Sequence, residues 1–509
     1  MRQTAVGHNY DQLNRMKRTF IAISIILLSV QFLYSQDFGV FPKIEKEKLL
    51  NDLDLLYQGL DKFHTGMYWY TPKDSVDIAF EMAKREIGSD LTILEFNKII
   101  APLVALSRED HTNIYLPESV SEKLNSEVCF LPITVVFLGK QLYCVKNGSD
   151  HESIDLEGKI IESINGEKPT EIVEKIGNLF ASDGFIKTVK YSDLEGFNFS
   201  KYYFYFYGQL SQFKIKFKDV KEILVIKSQS IKTINKNLKS RYKDGKDDKE
   251  KDLLEFEFLN DSTAYLGIHS FSNSDIKEES KEDNLKTFLS NSFKRIKERN
   301  IQTLIIDVSE NGGGTEGNEG ILYSYLGENY QKYLKVKAKT QRAVLDNGVD
   351  KPIKLKTFGL LERVFANKKM KDKSYERKEW IGFGLMAYKK EPKYKFKGKI
   401  YVIISPVTYS GGSEFSNMMF TKDLATFVGQ ETGGGYLGNT SGYSQELVLP
   451  NSKIKIDIPA LQFVMNVKPK LPFGSGVKPK YEVIPTFEQY IKDENASLKY
   501  ILEQLESEK

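Results

Sequence analysis

At 509 residues the chain is too long for a single hydrophobic core, so two to four domains are expected. With 40% apolar and 28% charged residues it reads as an ordinary globular protein, and 73 basic against 69 acidic residues leave a net charge of +4, too small to argue for nucleic acid. Two cysteines, Cys129 and Cys144, are too few for a disulfide framework or a thiolate metal site, and neither a metal nor a cofactor is expected.

Met16-Lys17-Arg18, the apolar run 20–33 and then Tyr34-Ser35-Gln36 have the order of a secretory leader, basic start first and small residue last. Residues 1–36 are therefore expected to be removed, giving a periplasmic or extracellular protein whose only membrane contact is that segment. No cysteine follows the run, which argues against a lipid anchor. Export would permit a disulfide between Cys129 and Cys144, but both lie in apolar strand-like runs, where buried thiols fit as well.

Residues 40–105 predict helices, because Leu49, Leu53, Leu56 and Leu60, then Phe96, Ile100 and Leu103, recur at helical spacing. A polar stretch, Ser107 through Thr112, interrupts before the short strand 114–116. Residues 130–138 and 140–145 predict a hairpin. The strand 159–164 ends at the tight-turn pair Asn165-Gly166, and a helix follows over 169–176. The Tyr- and Phe-rich stretch 200–230 reads as strands, and the charge run 239–251 as a solvated loop. From Phe256 onward apolar strands (265–269, 303–308, 400–404, 425–429) alternate with helices (284–299, 413–420), the pattern of a parallel α/β core. Residues 330–395 read as an insertion, and 487–505 as a closing helix.

Two loops after buried strands carry the chemistry. Strand 400–404 runs into Thr408-Tyr409-Ser410-Gly411-Gly412-Ser413-Glu414-Phe415 and then a helix. That geometry lifts a hydroxyl over the sheet edge and aims free helix N–H groups at it. Ser413 also suits a helix N-cap. Strand 303–308 runs into Ser309-Glu310-Asn311-Gly312-Gly313-Gly314, whose consecutive glycines allow close substrate approach and backbone oxyanion donors. Gly433, Gly435 and Gly438 match a dinucleotide-binding spacing, but Asn439-Thr440-Ser441-Gly442 follows instead of a helix. Among the histidines, His111 stands out between Asp110 and Thr112. His269 is the second candidate base, His64 reads as a packing residue, and His151 lies in a loop.

Taken together these segments resemble the C-terminal (tail-specific) processing peptidases and their tricorn-protease relatives. The carriers, in family order, are Asp110-His111-Thr112, Asp307…Asn311-Gly312-Gly313-Gly314, Thr408-Tyr409-Ser410…Glu414-Phe415, Gly429-Gln430-Glu431-Thr432-Gly433-Gly434 and Gly476-Val477-Lys478-Pro479. The resemblance covers most of residues 105–485. It implies an α/β core of the ClpP/crotonase-like type, an N-terminal helical region (37–116) and a degenerate PDZ-like β module (117–190). A β-rich segment with a charged linker (191–254), a catalytic domain (255–488) with an insertion near 326–395, and a C-terminal helix (489–509) complete the expected organisation.

The activity it implies is a secreted serine endopeptidase acting on peptide or protein substrates. Ser410 would attack, His111 would act as base, and Gly312 or Gly313 with Gly411 would hold the oxyanion. Two departures matter. Gly435 stands where the Ser–Lys branch has its lysine, so the Ser–His branch is the better match. Lys480 stands where the closing motif has aspartate, leaving Glu446, Asp457 and Glu482 as candidate orienting acids. An inactive peptide-binding scaffold on the same fold, or a secreted esterase, is the alternative reading. Oligomeric state is not legible.

Overall fold

The computed structural model describes residues 41–151, 155–242, 252–281, 284–340, 342–346, 354–357, 367–371, 373–377 and 392–508. The leader 1–36 and most of the charge run 239–251 lie outside them. None of the described helices is long and apolar enough to cross a membrane.

Three helices open the described chain, Lys46–Phe63, Lys73–Glu86 and Ile93–Ala105. Leu49, Leu53, Leu56 and Leu60 form one fully buried stripe, as the helical spacing requires. That stripe packs on Leu447, Ile456 and Ile458, which belong to a long hairpin made by the strands Gly438–Val448 and Lys455–Met465. The short strand Asn113–Tyr115 joins the same hairpin, antiparallel to Lys455–Asp457. Half of this hairpin is hidden in the sequence: its first strand opens with Gly, Asn, Thr and Ser, residues that ordinarily mark loops. Its consequence is decisive for the site. It carries the segment holding His111 onto the α/β region, more than three hundred residues away in sequence.

The middle of the chain is a five-stranded antiparallel sheet in the order Ile133–Leu138, Gln141–Asn147, Ile160–Ile164, Gln212–Phe217, Leu224–Lys227. The helix Pro169–Ile176 packs against it through Ile172, Val173 and Ile176. One expectation is corrected here: residues 198–207 are a helix, not strand. Phe199, Tyr203 and Tyr207 line one face, with ring centroids 6.1 and 4.3 Å apart in succession. An aromatic run buried every fourth residue satisfies helix packing better than strand alternation. Cys129 and Cys144 are both free thiols.

The α/β region holds a six-stranded sheet in the order Leu254–Phe258, Thr263–Ile268, Thr303–Asp307, Lys399–Ile404, Thr426–Gly429, Tyr481–Glu482. The first pair is antiparallel and the rest are parallel. Both faces of the central strands are buried: Leu304, Ile306, Val402 and Ile404 face the main core, while Ile305 and Ile403 face the C-terminal helix Ala496–Ser507. That is the usual cause of apolar runs without alternation. Within the stretch 330–395, much of which lies outside the described residues, Tyr333–Ala338 pairs with the long hairpin strand Lys455–Met465 in a second sheet. The tail helix is broken into Phe487–Ile491 and Ala496–Ser507.

Candidate active site

The helix after strand Lys399–Ile404 begins at Ser410, three residues before the expected start. Ser410 has φ +44°, a left-handed conformation that costs a non-glycine residue about 1–2 kcal/mol. The surrounding backbone holds it there. Tyr409 N–H donates to Asn311 O (3.0 Å), Gly434 N–H donates to Thr408 O (3.1 Å), and the Thr408 hydroxyl donates to Val308 O (2.8 Å). Ser413 is neither cap nor exposed nucleophile: it is buried, and its hydroxyl returns to Ser410 O at 2.8 Å. The paired glycines after Ser410 also have a cause, since a side chain at position 412 would run into the Asn311 carbonyl.

The glycine loop lies against this turn. A Cβ on Gly313, whose φ is +107°, would sit 2.6 Å from Ser410 Cβ and 2.9 Å from Gly411 N. Asn311 is the loop's knot: wholly buried, it donates to Ile268 O (2.9 Å) and accepts the Gly313 N–H (2.9 Å). The Gly313 N–H, one of the expected donors, is engaged by that side chain. Gly411, at the first turn of its helix, has no intrahelical acceptor for its N–H. Behind the loop, Asp307 accepts from Ser309 N–H (2.9 Å), Tyr265 OH (3.1 Å) and Asn495 Nδ2 (2.6 Å). Asn495 caps the C-terminal helix, so that helix is tied to the glycine loop.

The segment holding His111 is fixed by buried polar groups. Glu109 accepts from Thr440 N–H (2.8 Å) and Thr440 Oγ1 (2.9 Å). Asp183 bridges two loops, accepting Asp110 N–H (2.9 Å) on one oxygen and Gly435 N–H (3.0 Å) on the other. His64 Nε2 is 2.7 Å from Thr112 Oγ1. Burial pushes Asp183 and Asp110 up to about 6 and Glu109 well above the carboxylate range. Gly434, next to Gly435, packs on Ser413 and lies 3.3 Å, measured from its would-be Cβ, from Ser410 N. The His111 segment and the Ser410 turn therefore both contact a single loop, 432–435.

His111 is largely buried, and its Nδ1 has no hydrogen-bond partner among the described residues. Burial lowers its pKa, while the charges of Asp110 and Glu414 act in the opposite direction. The three expected acids engage elsewhere. Glu446 and Asp457 flank Lys455 at 3.3 and 3.8 Å, and Glu482 sits on the sheet's edge strand within the field of Glu431. Glu414 is the acid that sequence reasoning passed over. It is buried on the Ser410 helix and accepts from Tyr333 OH (2.7 Å) and Lys332 Nζ (3.0 Å). Glu316 and Glu319 complete a cluster in which three carboxylates come close enough to share a cation, and Lys332 supplies that cation by bonding all of them. His269 is buried on the opposite sheet face, 3.5 Å from Glu255 and 3.7 Å from Glu310. His151 lies in the loop after strand Gln141–Asn147.

Residues 262–483 match the family model of peptidase family S41. No curated protein matches the chain. Among solved structures, mature CPAF is 13% identical at a TM-score of 0.55, over 87% of this chain and 94% of that one. Mature CPAF complexed with lactacystin is 14% identical at a TM-score of 0.57, over 90% and 97%. The photosystem II D1 C-terminal processing protease is 11% identical at a TM-score of 0.36, over 86% and 93%. For the two CPAF structures the likeness is one of fold.

Proposed function

The chain carries a serine-type peptidase domain of the C-terminal processing peptidase family, S41, over residues 262–483, and on that premise we propose that it is a secreted endopeptidase in which Ser410 attacks and His111 is the base. The observation that carries this reading is the Ser410 turn. A strained serine at φ +44° opens a buried helix at the carboxyl edge of a parallel sheet, with the glycine loop pressed against it. Strain of that kind persists only where the surroundings enforce it, as in the tight turns that lift a nucleophilic hydroxyl over a sheet edge.

In the proposed reaction the peptide carbonyl lies between Ser410 and the glycine loop. His111 takes the hydroxyl proton as the serine oxygen bonds to the carbonyl carbon, and the oxyanion accepts from the N–H groups of Gly312 and Gly411. His111 then returns the proton to the leaving amine, and water repeats the sequence on the acyl-enzyme. The N-terminal helices deliver the base, the α/β domain supplies nucleophile and oxyanion donors, and the five-stranded sheet with its helix is the PDZ-like module that presents the substrate. The leader at 1–36 would deliver the protein across a membrane. The α/β sheet would be of the ClpP/crotonase-like type.

The test is paired. Ser410→Ala should lower peptide cleavage about 10⁴-fold or more and abolish fluorophosphonate labelling, whereas Ser413→Ala should still be labelled. Cleavage by Ser410→Ala at the wild-type rate would sink the assignment.

A further inference from the structure

We infer that Tyr70, Phe185 and Phe473 form a subsite that receives a large apolar or aromatic side chain of the peptide, within about three residues of the bond that is cut. This rests on the Ser410 reading and goes beyond it in assigning the kind of side chain that the site selects.

The three rings come from distant parts of the chain: the turn after the helix Lys46–Phe63, the loops after the helix Pro169–Ile176, and the segment that follows the long hairpin. Ring centroids lie 5.1 Å apart for Tyr70 and Phe473, 6.0 Å for Tyr70 and Phe185, and 6.4 Å for Phe185 and Phe473. Tyr70 is buried and Trp69 stacks on it at 5.2 Å, whereas Phe185 and Phe473 are each 45% exposed. A single exposed phenylalanine is ordinary. Two side by side over a buried tyrosine make a continuous apolar surface with a floor.

The backbone fixes both exposed rings. Gly184 and Gly474 have φ of +56° and +78°, and their turns press against each other. Phe185 N–H donates to Gly474 O (2.7 Å), and a Cβ on Gly184 would collide with that same oxygen. A surface held in this way has little freedom left to lose when a ligand lands on it.

Its position puts it beside the nucleophile. Tyr70 OH lies 3.6 Å from where a Cβ of Gly435 would stand, and Ser410 N lies 3.3 Å from the corresponding point of Gly434. The tyrosine and the serine turn pack on consecutive residues of one loop. That loop also holds both phenylalanine turns. Gly435 N–H donates to Asp183, two residues before Phe185, at 3.0 Å, and Tyr436 N–H donates to Ser475 O, two residues after Phe473, at 2.9 Å. An extended peptide advances roughly 3.3 Å per residue, so a peptide whose carbonyl meets Ser410 has a nearby side chain within reach of the rings. The Arg108 guanidinium lies 4.6 Å from the centroid of Phe185 and disfavours a basic side chain there.

Cleavage of a peptide library by the enzyme should show Phe, Tyr, Trp or Leu enriched, and Lys and Arg depleted, at one position within about three residues of the cut bond. For two peptides differing only in Phe or Ala at that position, kcat/KM should favour Phe by about tenfold or more. Phe185→Ala and Phe473→Ala should each lower that ratio several-fold, and the double variant should bring it to about one. Structural damage would slow both peptides alike and leave the ratio standing, which overturns the inference. So does a flat library profile, or enrichment of acidic residues at that position. A change of sedimentation on substitution with no change of ratio overturns it too, and makes the patch a contact between copies of the chain. Library cleavage that survives Ser410→Ala means that the serine reading has failed, and the subsite falls with it. Ser410-dependent cleavage with an unmoved ratio removes this inference only.

Discussion

The two arms of the site are held by different physics. The serine turn and the glycine loop are fixed by backbone: Tyr409 N–H to Asn311 O, Gly434 N–H to Thr408 O, and glycines packed where any side chain would collide. The His111 arm is fixed by ionisable side chains taken out of water, with Glu109, Asp183 and His64 each bonding a neighbouring loop. Backbone hydrogen bonds do not titrate, whereas buried carboxyls and imidazoles do. The Ser410 arm should therefore respond mainly to steric change and the His111 arm mainly to charge and pH.

Among changes that separate the two arms, the largest expected effect breaks the Ser410 arm alone. In Gly313→Ala the new methyl would stand 2.6 Å from Ser410 Cβ, at a φ of +107° that alanine adopts only under strain. We expect kcat/KM and the rate of fluorophosphonate labelling to fall about 100-fold or more together, because the serine and its oxyanion donors are displaced at once. The His111 titration should stay where it is. A Gly313→Ala enzyme within a few-fold of wild type would mean that the loop does not border the reacting atoms.

Asp183→Asn probes the other arm. The carboxylate accepts one N–H on each oxygen, from Asp110 and from Gly435. An amide can serve only one of them and must turn its NH₂ toward the other donor. Leaving one buried donor unpaired costs about 1–3 kcal/mol. Urea unfolding should show that loss, and kcat/KM should drop by about tenfold as the His111 segment loosens from the 432–435 loop. Unchanged stability would show that water or a rearranged loop satisfies both donors.

How far this arrangement could be read in advance follows from the same contrast. The buried strands, their order and both glycine-rich loops announce themselves locally, as apolar runs ending in Gly and Ser. His111 stood out for its polar setting. The charges that hold it did not: Asp183 lies 73 residues from Asp110 and 252 from Gly435, and nothing in its neighbourhood marks it. Glu414 was in plain view four residues after Ser410, but its partner Lys332 is 82 residues upstream in a stretch that reads as a Lys-rich insertion. The helix 198–207 is hidden because Tyr and Phe favour strands in general, and only the every-fourth-residue contact of Phe199, Tyr203 and Tyr207 shows the other period.

The smallest expected effect is also the one with the clearest sign. His64 is wholly buried, and burial, helped by Lys339, lowers its pKa from 6.5 to about 3. A histidine depressed on folding favours the folded state fully above its unfolded pKa, and that contribution is lost as the pH falls from 6.5 towards 3. At pH 5.5 the loss from this one group is roughly 1.4 kcal/mol relative to pH 7.5. The buried carboxyls of the same arm pull the opposite way: Asp110 and Asp183, raised to about 6, penalise the folded state as the pH rises from about 4 to 6 and so relieve it on acidification. The native protein should therefore show a shallow net slope. His64→Gln removes one side of that balance, so its stability relative to wild type should improve between pH 7.5 and 5.5, whatever the substitution costs at neutral pH. Urea denaturation of both proteins at the two pH values reads the difference directly. A constant gap would mean that His64 titrates freely in the folded protein, and that the Thr112 contact does not depend on keeping its ring neutral.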